Sequence, residues 1–112
     1  MLVRETDKVE DTTQGSDSYS AGWRYYTELE FDLGANRIVV AEVENDGRST
    51  QEVVTIRGVF EGETRTPAGE FYDAPEAANV IASLQQRGLT RIRIWNGAYF
   101  SQFDAARLKD AP

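Results

Sequence analysis

From Trp23 onward apolar and polar positions alternate. In "WRYYTELEFD", residues 23–32, Trp23, Tyr25, Leu29 and Phe31 share one side, and Arg24, Tyr26, Glu28, Glu30 and Asp32 share the other. A period of two with aromatic residues predicts a strand. "LGAN" makes a turn, and "RIVVAEVE", 37–44, predicts a second strand. Asp46-Gly47 is a hairpin signal, because that pair tolerates positive φ. "QEVVTIRGVF", 51–60, completes a three-stranded antiparallel meander.

The period then lengthens. After a loop containing Gly62, Pro67 and Gly69, a helix is predicted over about 75–87. Asp73 is its expected N-cap, with Glu76 three residues on as in a capping box. Ala77, Val80, Ile81 and Leu84 fall on one helical face, and Gly88 suits the left-handed position that ends a helix. "TRIRIWN" alternates again, with Ile92 and Ile94 opposite Arg91, Arg93 and Trp95. "YFSQFDAARLKD" is expected to form a short last helix with Tyr99, Phe103 and Ala106 on one side. The expected order is therefore β-β-β-α-β-α, an α+β fold. Residues 1–18 offer no apolar face and are expected to be a mobile acidic tail, leaving one domain over 19–112.

One helix covers one face of a sheet. The other face is expected to show Tyr26, Ile38 or Val40, Val53 and Trp95. A last helix, a second copy or a partner should cover that much apolar surface.

Composition narrows the chemistry. At 40% apolar and 28% charged residues the chain has a globular mix. No apolar run approaches the ~18 residues of a membrane span, and a soluble, cytoplasmic protein is expected. There is no cysteine and no histidine, which excludes disulfides, thiolate or imidazole metal ligands and histidine-based catalysis. No loop matches a calcium-binding, phosphate-binding or dinucleotide pattern, so no metal, cofactor or catalytic residue is assigned and no enzyme is expected. The net charge is -7, and the only lysines are Lys8 and Lys109. Acid excess with scarce lysine suits a salt-rich cytoplasm, although a GC-rich genome also favours arginine. The acidity disfavours nucleic acid and anionic membrane as partners.

Three binding surfaces and one cation site remain as candidates. Arg91 and Arg93, about 7 Å apart on one strand face, could form with Arg57, Trp95 and Tyr26 a stripe of the kind that stacks single-stranded nucleic acid. Cross-strand pairing with Glu28, Glu30, Glu42 and Glu44 is the default for those arginines. With Asp32, the same acids form a carboxylate row such as a nucleic-acid mimic would use to inhibit a nucleic-acid-binding protein. In the loop, Arg65, Phe71 and Tyr72 either cap the core or line a binding lip. A hard-cation site could be built from Glu61, Glu63, Glu70 and Asp73. The favoured expectation is a non-enzymatic interaction module that binds itself, as a homodimer, or another protein through an open sheet face.

Overall fold

The structure, a computed structural model, describes residues 1–11, 22–45 and 51–109. Among these are seven strands in one sheet: β1 (Leu2–Asp11), β2 (Trp23–Gly34), β3 (Arg37–Asn45), β4 (Glu52–Glu61), β5 (Thr66–Pro67), β6 (Arg91–Trp95) and β7 (Phe100–Gln102). One α-helix, α1 (Ala77–Gln86), and two single 3-10 turns, Phe71–Asp73 and Ala105–Arg107, accompany them. The spatial order is β1-β2-β3-β4-β6-β7, with β5 beside β4.

The expected α+β order of four strands and two helices is thus corrected to a strand-rich sheet carrying one helix. Three segments account for the change, the shortest being β5, which pairs with β4 inside the expected loop. Within 1–18, Leu2–Asp11 is an edge strand, paired antiparallel with β2 from Leu2↔Phe31 to Asp11↔Trp23, and not a mobile tail. Backbone hydrogen bonds along β2 hold it, so a strand with little apolar content of its own still has a place. Residues 12–18 lie outside the described residues, as does the Asp46-Gly47 turn. The expected last helix is instead β7 followed by a 3-10 turn. Arg93↔Gln102 to Trp95↔Phe100 pairing claims the backbone of Phe100–Gln102 before a helix can start.

The predicted meander is present as β2, β3 and β4, with antiparallel registers Leu29↔Ala41 and Val43↔Val54. Gly34, Ala35 and Asn36 all have positive φ in the β2–β3 turn, and the Gly34 N–H donates to Asp32 Oδ1 at 2.8 Å. β6 then runs parallel to β4. A parallel neighbour requires a crossover, and α1 supplies it.

The core lies between α1 and one face of the sheet. Ala77, Val80, Ile81 and Leu84 are the buried residues of α1. They pack with Leu29, Phe31, Val39, Ala41, Val54, Ile56, Ile92 and Ile94. Each fully buried Leu, Ile, Val or Phe side chain contributes about 1.5–3 kcal/mol.

The ends of α1 are built differently from one another. Gly88 has φ 80°, its N–H donates to Gln85 O at 2.9 Å, and the Leu89 N–H donates to Leu84 O at 3.0 Å. Both bonds of a Schellman ending are present. The expected capping box at the other end is corrected. Asp73 closes a 3-10 turn, is exposed, and lies 3.4 Å from Lys109 Nζ. The residue before α1 is Glu76, whose Oε2 accepts from Arg37 at 2.7 Å and ties the helix start to β3. Among the described residues no helix is long and apolar enough to cross a membrane.

Candidate functional site

The sheet presents two unlike surfaces. The first is the face opposite α1, which carries the even-numbered residues of β2. Arg24, Tyr26, Glu28 and Glu30 project from β2, Glu42 and Glu44 from β3, Thr55 from β4, and Arg91, Arg93 and Trp95 from β6. A register shift between Val40 and Ala41 leaves Arg57 as an extra residue between Ile56 and Gly58. Such a bulge re-aims a side chain, and here Arg57 lies over the Trp95 ring, 4.9 Å from its centroid.

On this face arginines and carboxylates interleave. Arg24 is bidentate on Glu44, with Nε–Oε2 3.2 Å and Nη2–Oε1 2.9 Å, and also donates to Glu42 at 2.7 Å. Its guanidinium lies 4.0 Å from the centre of the Tyr26 ring. Arg65 reaches from the loop after β4, where its backbone has φ 54°, to Glu28 on β2. It also bonds Glu30. Arg93 donates to Thr55 Oγ1 at 2.8 Å, approaches Glu44 at 3.9 Å and covers the Phe100 ring at 3.8 Å. Arg57 comes within 4.0 Å of Glu42.

Charges on this face shift one another. Arg65 donates to Glu28 and holds its carboxyl below the ordinary 4.5, against the upward push of burial. Burial works against the Arg24 guanidinium, yet hydrogen bonds to Glu44 and Glu42 leave it more firmly protonated than usual. Burial, with Glu42 and Glu10 nearby, moves the Tyr26 hydroxyl up.

The arginine stems and rings have a second consequence. Val40, Val53 and Thr55 are buried on this face although no helix of the described residues lies over it. The expectation that Val40 and Val53 stand open here is corrected. Long arginine side chains lay their methylene stems on apolar surface and keep their charge outside.

The second surface is on the α1 side, where the sheet outruns the helix. Trp23, Tyr25 and Val9 are 61%, 69% and 59% exposed. Val9 pairs directly with Tyr25, and Asp11 with Trp23, so the three apolar side chains stand together at the tip of the β1–β2 ribbon. Asp7 and Asp11 alternate with Val9 on the same face of β1. Towards the helix this patch leads into a cleft of about 290 Å³ lined by Glu5, Thr27, Leu29, Val43, Glu52, Arg87 and Leu89. Arg87, in the last turn before Gly88, meets Glu5 at 3.0 Å across it.

The two surfaces differ in charge. Of the twelve Lys and Arg residues, more than half, namely Arg4, Lys8, Arg24, Arg57, Arg65, Arg91 and Arg93, belong to the face opposite α1. Among the described residues, the acids that oppose them there are Glu10, Glu28, Glu30, Asp32, Glu42 and Glu44. Among the described residues the acidity is therefore concentrated on the other surfaces.

Of the residues singled out in the sequence, Tyr26, Arg57, Arg91, Arg93 and Trp95 come together on one face. Glu28, Glu30, Glu42 and Glu44 share it, in ion pairs with Arg24, Arg57, Arg65 and Arg93. Asp32 is exposed at the β2–β3 turn. Phe71 and Tyr72 are buried in the core, and the Tyr72 hydroxyl accepts from the Asp104 N–H at 3.0 Å, so they line no lip. Arg65 is drawn to Glu28 instead. Glu61, Glu63, Glu70 and Asp73 are exposed, and among the described residues no three acids gather as a metal site. Trp23, Tyr25 and Val9 were missed, because alternation gives the side of a strand and not how far its cover extends. Comparisons with family models, with curated proteins and with solved structures find no match.

Proposed function

We propose that the protein is a non-catalytic, cytoplasmic interaction module that seats a cationic protein segment on the open end of its sheet, at Val9, Trp23 and Tyr25. The observation that carries this is the exposure of two aromatic rings and a valine side by side, flanked by Asp7 and Asp11. A soluble surface leaves such a patch open chiefly where something docks. Aromatic faces beside carboxylates favour guanidinium and ammonium groups through ring quadrupole and charge together. Elsewhere in this molecule Arg24, Arg57, Arg93 and Arg107 stack on Tyr26, Trp95, Phe100 and Tyr72. Among the described residues, no such cation lies over Trp23 or Tyr25.

The nucleic-acid-mimic reading is weaker on this geometry. A mimic offers its carboxylates to a partner, whereas Glu28, Glu30, Glu42 and Glu44 already hold arginines of the same chain.

Titration calorimetry with an eight-residue oligo-arginine peptide tests the proposal. Binding should weaken about tenfold in Trp23→Ala, the scale of a desolvated cation–ring contact. Trp95→Ala should bind as wild type does. Equal affinity in Trp23→Ala and wild type would reduce the interaction to diffuse attraction by net charge and end the proposal.

A further inference from the structure

The seat calls for a cationic surface, and this chain carries one. Arg57, Arg91 and Arg93 line up beside Trp95 and Phe100 at the β6–β7 edge, on the face opposite α1. Phe100 is among the exposed large apolar residues. The seat lies at the other edge of the sheet, on β1 and β2, and on the other face. Opposite edges and opposite faces are the arrangement of overlapping roof tiles. The β1–β2 tip of one molecule can lie over the β6–β7 edge of the next without α1 intervening, because α1 is on the tip's own side and stops short of it.

We infer that the cationic segment is the β6–β7 strip of a second copy, so that copies join head to tail. This rests on the reading of Val9, Trp23 and Tyr25 as a seat for cations. The charge pattern supports it: Glu42 and Glu44 are held closely by Arg24, and Arg57 and Arg93 reach them only at 4.0 and 3.9 Å, so the strip keeps an excess of positive charge to set against Asp7 of the next copy, while Trp23 and Tyr25 meet Trp95 and Phe100. A contact of different surfaces is not self-complementary as that of a two-fold dimer is, and it extends into open chains or closes into rings. A contact carried by exposed charges is weakened by salt.

Sedimentation equilibrium on wild type and two variants tests this. One variant lacks the seat (Trp23→Ala with Tyr25→Ala), and the other lacks the strip's charge (Arg91→Gln with Arg93→Gln). At low salt the mean mass of wild type should climb with concentration past a dimer, and high salt should return it to a monomer. Each variant alone should be a monomer. Mixed, they should form a one-to-one pair and nothing larger, since each keeps one half of the contact. Phe100→Ser replaces an exposed ring and should behave as the strip variant does, which guards against a fold damaged by losing the Arg93 hydrogen bond. Association of the strip variant alone would mean that seats meet seats, and a mixture that stays monomeric would mean that seat and strip do not meet. Either result overturns the inference, as does a monomeric wild type at low salt. Oligo-arginine bound through Trp23 by a protein that never self-associates would sink the second copy and leave the seat standing. Absence of oligo-arginine binding would remove the seat itself.

Discussion

At the scale of single residues, Glu28 and Gly88 carry consequences that can be measured. Glu28 is buried and held by Arg65, and its carboxyl ionises below 4.5 in the folded chain. The folded state therefore prefers the charged form more than the unfolded state does. That contribution is complete above the unfolded value and is lost as pH falls from about 4.5 through the lower folded value. Glu28→Gln should cost about 1–2 kcal/mol at neutral pH, the range for a charge-assisted hydrogen bond reduced because Arg65 is partly solvated. Urea melts should also show a shallower loss of stability between neutral pH and pH 3 in the variant, about the range over which carboxyls titrate. Parallel acid limbs would place the relevant carboxyl elsewhere. Gly88→Ala should cost about 1–2 kcal/mol, because a side chain in the left-handed region meets its own carbonyl. No neighbouring atom stands within 4 Å of the added carbon, so backbone strain is the whole effect. Asp73→Ala should stay within about 0.5 kcal/mol, the norm for a surface site, since Asp73 caps nothing in α1. A larger loss for Asp73→Ala would restore the capping box.

At the scale of elements, β1 is the test of the architecture. Its pairing with β2 runs through nine registered residues, and Asp32 N–H donates to Met1 O at 2.7 Å. Hydrogen exchange should protect alternate β1 amides, those bonded to β2, while the outward ones of this edge strand exchange quickly. Uniformly fast exchange from Leu2 to Asp11 would return the segment to a tail. The sequence concealed β1 because an edge strand needs only backbone partners, and Arg4, Glu5, Asp7, Lys8 and Glu10 read as solvated coil. Charged residues are also how natural edges avoid joining other sheets. β2, β3, β4 and α1 were legible because their inner faces are apolar at the right period. The Arg65–Glu28 bond was not legible, since a loop arginine with positive φ meets a strand 37 positions away. The exposed tip was within reach of arithmetic. A ten-residue helix spans about 15 Å and a twelve-residue strand about 40 Å, so a single α1 leaves part of β2 uncovered.

At the scale of the whole molecule, the net charge of -7 hides two surfaces of different character. The basic, aromatic β6 strand of an acidic protein sits where Glu42 and Glu44 need partners, and Arg93 and Arg57 provide part of that pairing. The acidic side ends in an aromatic tip whose rings, among the described residues, lack the arginine cover that Tyr26 and Trp95 have. Whether that tip is a seat for cations is tested most directly by amide and indole chemical shifts during an oligo-arginine titration. The shifts should move first and furthest at Val9, Asp11, Trp23 and Tyr25, saturate together, and fade with added salt. Shifts spread evenly over the exposed acids, or confined to the face bearing Glu28 and Glu42, would contradict it.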